Sequence, residues 1–274
     1  MRGSPTFASG VAGQKRAVRR YWEEHPCGAD GIEAECYSAE YFQGIEQRRR
    51  KFEPIIDSFA DFRAYGGRRV LEVGVGTGTD FVRFARRGAE LYGIDLTRES
   101  IRQTRHRLDM EGLDNARLQI GDSENLSFPA ASFDLVYSWG VLHHTPSLSK
   151  AMRELVRVLR PGGELKLMLY HRHSIAAYWT WIRFALFSGR PWKSLRQVLA
   201  DHVESPGTVA LTRHELASMV ATLPLTDVQI KSVLTWCDRG ERSRSLLVQK
   251  VLSAVSQLAG DRKGWFLLLR ARRM

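Results

Sequence analysis

From Arg69 to Tyr170 the apolar residues gather into short runs bounded by glycine, aspartate and asparagine, with helix-spaced stretches between them. Runs of this kind predict strands at 69–74, 90–95, 116–121, 133–139 and 164–170. Helices are predicted over 79–88, 97–112 and 147–160, the last stopped by Pro161-Gly162-Gly163. Strand and helix in alternation predict a parallel sheet covered on both faces. The flanks read differently. Residues 14–64 look helical, with aromatic pairs at Tyr21-Trp22 and Tyr41-Phe42 and a turn at His25-Pro26-Cys27-Gly28. After Tyr170 the alternation breaks, and 174–207, rich in Trp, Arg and Leu, reads as two inserted helices. A helix resumes over 212–223, where Thr212 followed by Glu215 is a capping box. Strands are predicted at 228–236 and 264–271, separated by a stretch that reads as a polar helix. The expected organisation is a disordered tail over 1–13, a helical segment over 14–64, a core over 65–173, an insertion over 174–207 and completion of the sheet over 208–274.

Composition narrows the setting. Cys27, Cys36 and Cys237 are few, odd in number and without a CxxC pair, so a reduced cytoplasmic environment is expected, with neither disulfides nor a zinc site. No apolar run follows the basic residues from Lys15 to Arg20, so no signal peptide is expected. The longest apolar run, Ile175 to Phe187, has 13 residues and contains Arg183, too short and too charged for a membrane span. The net charge of +11 has two readings. It is a positive field for nucleic acid, an acidic membrane surface or an anionic small molecule, or it is a set of solvated faces carrying clusters such as Arg48-Arg49-Arg50-Lys51 and Arg270-Ala271-Arg272-Arg273.

The chemistry concentrates after the first strand. Val70-Leu71-Glu72-Val73-Gly74-Val75-Gly76-Thr77-Gly78-Thr79-Asp80 runs from a strand into a loop with glycine at every second position, which lets backbone come close to a ligand. A dinucleotide-binding loop needs G-x-G-x-x-G, and here Thr79 stands at the third glycine position. A P-loop needs a lysine after the glycines, and none follows. Glu72, two residues before Gly74, repels a diphosphate and suits a ligand bearing an ammonium or sulfonium. Asp95 ends the next strand, 23 residues after Glu72, and an acid there can accept from a ribose diol. Asp122 ends the strand after that and can accept from an adenine amine. Three acids at the carboxyl ends of three successive parallel strands converge on the edge where open α/β sheets bind ligands.

These residues resemble the core of the class I S-adenosylmethionine-dependent methyltransferases, of the type found in quinone biosynthesis and bacterial secondary metabolism. Leu71 to Gly78 is similar to the first motif of that family, and Ile94-Asp95-Leu96 to its ribose-binding strand end. Gly121-Asp122-Ser123-Glu124-Asn125-Leu126-Ser127-Phe128-Pro129, followed by Ser132 to Val136, resembles its adenine segment and fourth strand, and Arg157 to Gly163 its turn before the fifth. The resemblance implies a Rossmann-like, seven-stranded, mostly parallel sheet with an antiparallel final strand, N-terminal helices and a helical insertion after the fifth strand. It implies S-adenosyl-L-methionine as cofactor. Glu72, Gly74 and Gly76 would lie along its methionine part, Asp95 at the ribose, Asp122 and Ser123 at the adenine, and Ser138 or Trp139 at the methionine part from the fourth strand. Thr77, Gly78 and Leu96 complete the expected cofactor-binding set.

Methyl transfer to a nucleophile that is protonated at neutral pH needs a base, and His143 and His144, just after the fourth strand, are the candidates. Shaping the pocket is their other reading. His171 and His173 share one strand face; substrate contact or solvation is expected there, and no metal. Tyr137-Ser138-Trp139-Gly140 lacks the Asn/Asp-Pro-Pro-aromatic sequence of amine-methylating nucleic-acid enzymes, and no cysteine lies between 37 and 236 to serve a cytosine-C5 mechanism. The N-terminal helices, with Tyr41, are read as a lid. The insertion, with Tyr178 and Trp181, is read as a substrate cap for an apolar, aromatic or isoprenoid acceptor carrying an acidic group, or else as a packing surface within a homodimer. The expected activity is methyl transfer to a small molecule. An RNA methyltransferase and a non-catalytic binding or partner protein of the same fold remain as alternatives.

Overall fold

The computed structural model describes residues 10–241 and 243–274. Three helices come first: α1 (Val11–Glu24), α2 (Ala39–Phe52) and α3 (Ile55–Ala60). The alternating core follows as β1 (Arg69–Val73), α4 (Thr79–Ala85), β2 (Glu90–Asp95), α5 (Arg98–Met110), β3 (Ala116–Ile120), β4 (Phe133–Trp139), α6 (Leu148–Val158) and β5 (Leu159–His171). Then come α7 (Ile175–Trp181), which continues into a π-helical turn at Ile182–Leu186, and α8 (Leu195–His202). The chain closes with β6 (Ala210–Leu211), α9 (Arg213–Val220), β7 (Leu225–Val233), α10 (Leu246–Ala259) and β8 (Phe266–Arg273).

The strands form one sheet in the order β3-β2-β1-β4-β5-β8-β7, with β6 pairing β5 off this path. Strands β1 to β5 pair in parallel, and β8 runs antiparallel to both β5 and β7. The expected Rossmann-like architecture is therefore present. The short β6 is an addition: it meets β5 at Tyr170 and His171, beyond Met168, where the pairing with β4 ends. Alternate residues of each strand enter opposite cores. Val70, Leu91, Leu135 and Tyr137 pack with Phe81 and Phe84 on one face, while Leu71, Val73, Ile94 and Val136 pack with Met152 and Leu155 on the other. Burial on both faces is why these strands read as continuous apolar runs rather than alternating ones.

Several boundaries shift for physical reasons. Helix α6 ends at Val158 and β5 begins at Leu159, because Leu159 pairs with Phe133 across a register irregularity and draws Pro161-Gly162-Gly163 into the strand. The region 14–64 is not continuous helix: 25–38 is loop. Of the tail expected at 1–13, residues 1–9 lie outside the described residues and Val11 to Gly13 belong to α1. The helix between the last two strands is not polar; its outward side carries Leu246, Leu247, Val251, Val255 and Leu258. The capping box at Thr212 and Glu215 is formed.

The helices after β5 are tied to the sheet by one buried acid. Asp238 accepts from Ala176 N at 3.0 Å, Thr235 N at 2.8 Å, Thr235 Oγ1 at 2.9 Å and Trp265 N at 2.9 Å. It thereby joins the first turn of α7, the 235–238 turn and the start of β8. Asp238→Asn keeps the shape but turns an amide toward N–H donors. It is expected to lower stability by about 2–4 kcal/mol, as for losing charged acceptors from buried donors. Urea unfolding checks this, and an unchanged midpoint would count against the role given to Asp238.

Candidate functional site

Strand order reverses between β1 and β4, and loops leaving these strands in opposite directions open a crevice at their carboxyl ends. A cleft open to solvent lies there, walled by the loops after β1, β2, β3 and β4 and roofed by α1.

The glycine loop is shaped by its neighbours as much as by a ligand. Gly74 has φ 83°, and a Cβ on it would lie 2.2 Å from Val141 Cγ2 in the loop after β4. The two loops that flank the crevice can meet only because this residue has no side chain. Gly78, at φ 77°, faces Thr104 of α5 at 3.0 Å and starts α4, so it packs helix to sheet and does not line the cleft. Gly76 does line it, and its N–H donates to Asp95 Oδ2 at 3.1 Å. Asp95 Oδ1 accepts from Thr97 N at 2.9 Å and Thr97 Oγ1 at 2.8 Å. The Gly76 bond fastens the loop to the end of β2, and the two Thr97 bonds hold the carboxylate in place at the start of α5.

Acids dominate the inner end. Glu72 is buried, and its Oε2 has no hydrogen-bond partner among the described residues. Burial, and next the Asp80 carboxylate, push the Glu72 carboxyl well above the ordinary range, against the pull of Arg49. Asp80 Oδ2 accepts from Tyr137 Oη at 2.9 Å and Arg49 Nη2 at 3.0 Å. Arg49 Nε lies 3.6 Å from Glu53 Oε2, which accepts from Trp139 Nε1 at 2.6 Å. Glu72, Asp80 and Glu53 thus gather around the guanidinium of Arg49, with Arg83 Nη1 a further 4.0 Å from Asp80 Oδ1. Such a site is complementary to a cation.

At the outer end α1 supplies Lys15, Val18 and Trp22 to the wall. Lys15 Nζ is 2.6 Å from Asp122 Oδ2 and 2.8 Å from Glu124 Oε2. The lower end of α1 is held by Glu23, which accepts from Arg98 N at 3.0 Å. His144 lines the cleft beside Gly140 and Val141, with Trp22 edge-on at 5.1 Å between centroids. Its Nδ1 faces Ser205 Oγ at 2.8 Å and Thr208 Oγ1 at 3.0 Å, and its Nε2 lies 3.2 Å from Glu204 Oε2.

Of the residues singled out from sequence, Glu72, Gly74, Gly76, Thr77, Asp95, Leu96, Asp122, Ser123, Trp139 and His144 surround this one cleft. Ser138 does not: its Oγ donates to Val73 O at 2.8 Å inside the sheet. His143 turns into the core and stacks on Tyr170 at 3.9 Å, with both ring nitrogens unpartnered; burial, and then His144, hold it well below the ordinary histidine range. Tyr41 is buried away from the cleft, donating to Gln103 Oε1 at 3.2 Å. His171 bonds Gly264 O through Nδ1 at 3.0 Å, His173 and Tyr178 are exposed, and Trp181 donates to Lys193 O at 2.7 Å. None of these four lines the cleft. Trp22, read from sequence as part of a lid over the site, lines the cleft, whereas sequence reasoning missed Lys15, Arg49, Asp80 and Glu204. Asp80 was legible as the first acid after the glycines, but Arg49 was hidden within a basic run that reads as a solvated face.

Residues 70–163 match a family model described as a methyltransferase domain. Over 175 residues the chain is 33% identical to a phthiotriol/phenolphthiotriol dimycocerosates methyltransferase of Mycobacterium ulcerans, a match covering 63% of this chain and 59% of that relative. The chain therefore spans about three-fifths of that relative's length. Among solved structures, geranyl diphosphate C-methyltransferase from Streptomyces coelicolor is similar with a TM-score of 0.65 at 18% identity, over 98% of this chain and 100% of that one. The [4+2]-cyclase SpnF is similar with a TM-score of 0.58 at 17% identity, over 99% of both chains. One fold thus carries more than one reaction.

The Gly74–Val141 contact yields a direct expectation. Gly74→Ala must move Val141 and is expected to lower stability by about 1–3 kcal/mol, and adding Val141→Ala should restore part of it. Thermal melts of the two variants check this; no recovery would place the strain in the backbone of Gly74 alone. The segment from 70 to 163 matches the methyltransferase-domain model, and the α/β fold is similar to that of an S-adenosylmethionine-dependent methyltransferase from Aquifex aeolicus, at a TM-score of 0.52 and 14% identity over 85% of this chain and 97% of that one.

Proposed function

We propose that this chain is an S-adenosyl-L-methionine-dependent methyltransferase acting on a small apolar acceptor. The observation that carries the reading is Glu72: a buried carboxyl with a free oxygen, among acids that still outnumber Arg49 and the more distant Arg83, at the end of the first strand of a methyltransferase domain. An α-ammonium and a sulfonium would both relieve that surplus. Asp95 has an acceptor position for a ribose hydroxyl. Asp122 reaches an adenine amine only by sharing or releasing Lys15.

Such a donor supplies an electrophilic methyl group, so that the acceptor–carbon bond forms as the carbon–sulfur bond breaks and a neutral thioether leaves. What the chain must add is alignment, exclusion of water and, for a hydroxyl or amine acceptor, a place for the proton. His144 is the histidine on the cleft wall and takes that role in this reading, with Glu204 beside its Nε2; His143 lies behind it. The acceptor has a second hollow available, lined by Phe52, Pro54, Ile55, Trp236 and Phe266, with Lys51 and Arg239 at hand. Glu53 belongs to that hollow and bonds Trp139 of the first cleft, so the two adjoin. Lys51 and Arg239 stand there against Glu53, Glu241 and Asp261, with Arg239 Nη1 3.8 Å from Glu241 Oε1, so the aromatic walls suit an apolar body while the charge selects no acidic group. The wall comes from α2 and the loop after β7, not from the insertion.

Calorimetry with S-adenosylmethionine and S-adenosylhomocysteine tests the donor. Tight binding is expected, weakened at least about tenfold in Asp95→Ala, equivalent to about 1.4 kcal/mol; no binding of either compound would defeat the proposal. The sign of proton exchange is also fixed. Burial and Asp80 hold Glu72 above its ordinary pKa when the site is free, and a bound cation favours its ionised form, so binding should release protons at pH values between the bound-site and the free-site pKa and none well below both. Repeating the titration in buffers of different ionisation enthalpy measures this, and Glu72→Gln should remove the release. His144→Ala is expected to lower turnover of a hydroxyl acceptor by about 10²–10⁴ while donor binding persists. Trp236→Ala should raise the acceptor's KM.

A further inference from the structure

Helix α10 is built with its apolar side outward. Its 14 residues, LLVQKVLSAVSQLA, hold one charged side chain, Lys250. The inward positions are Leu252 and Ser256, and Ser256 Oγ donates to Asp238 O at 3.0 Å. Leu246 and Leu247 are each 72% exposed, Val251 52%, Val255 43% and Leu258 90%. Leu247, Val251, Val255 and Leu258 follow one another at helical spacing and form one stripe. The helix packs on α7, whose π-helical continuation leaves Leu186 and Phe187 exposed as well. Exposed aliphatic residues in such a row mark an interaction surface rather than chance.

The flanking charge selects the partner. Between 243 and 263 the bases Arg244, Lys250, Arg262 and Lys263 stand exposed against one acid, Asp261. Arg183 and Arg190, also exposed, bracket the Leu186–Phe187 turn. A second copy meeting this face about a twofold axis would set these bases against their own images. An anionic lipid surface would meet the apolar stripe with acyl chains and the bases with headgroups. At 1.5 Å per residue α10 is about 21 Å long, short of the hydrocarbon thickness of a bilayer. No helix among the described residues is long and apolar enough to cross a membrane. We propose that α10, with the adjoining Leu186–Phe187 turn, docks in the plane of an anionic membrane surface.

The full chain should co-sediment with phosphatidylcholine vesicles containing phosphatidylglycerol, at least about tenfold more tightly than with phosphatidylcholine alone, and less so as salt rises. Leu247→Glu combined with Leu258→Glu should abolish sedimentation while the thermal midpoint and donor binding stay unchanged, since neither residue lines the cleft. Should that variant misfold, hydrogen exchange on the native chain decides instead: amides over 246–259 should gain protection when anionic vesicles are added. Absence of sedimentation by the native chain, or sedimentation that survives both substitutions, overturns the proposal. A dimer in solution that the two substitutions dissolve, without vesicle binding, overturns it in favour of a second copy. Because donor calorimetry is read separately, failure here leaves the methyltransferase reading standing, and the reverse.

Discussion

Arg49 is the guanidinium around which Asp80, Glu53 and Glu72 gather at the carboxyl edge of the sheet. It reaches Asp80 from β1's following helix and stands beside Glu53 at the end of its own helix. Through it α2 is pinned over the crevice, and through Glu53 and Trp139 the pin extends to the end of β4. Removing one partner from a buried pair costs about 3–5 kcal/mol, because the remaining charge is left without compensation. The balance is incomplete even with every partner present, since Glu72 keeps an unpaired oxygen. Folding a chain around such a deficit is worthwhile only when a ligand corrects it. The same residues that hold the N-terminal helices in place therefore also define the charge of what may enter.

The roof is set by a second competition between charges. Lys15 brings an ammonium to Asp122 and Glu124, so α1 closes the cleft over an acid that the proposed donor would also use. Entry then exchanges one set of hydrogen bonds for another rather than simply filling a void. Trp22 against His144, Glu23 at the start of α5 and the buried Val18 also fasten that helix.

How much of this was legible depended on the distance over which the information travels. The strands β1 to β4 and the acids Glu72, Asp95 and Asp122 were readable because runs, glycines and strand-end positions are local signals. His143 and His144 were indistinguishable in sequence, since adjacent residues on a one-turn helix separate only when the packing decides which faces Tyr170 and which the cleft. Arg49 was missed because a basic run looks the same whether its middle member points to solvent or to a buried Asp80. The aromatic insertion attracted the substrate assignment by composition, yet Trp181 spends its N–H on Lys193 O and Tyr178 is exposed. Composition says what a segment is made of, and only tertiary contacts say what it faces.

The outward apolar stripe and the second hollow are connected by one bond. Ser256 of α10 donates to Asp238 O, and Asp238 orders the turn whose Thr235, Trp236 and Arg239 wall that hollow. A helix resting on a lipid surface would therefore hold the acceptor side of the site near the bilayer, where apolar molecules concentrate. For an acceptor of low solubility this replaces diffusion through water with lateral supply. It would also account for the hydrophobic residues that stand outside on a helix whose inner face is Leu252 and Ser256.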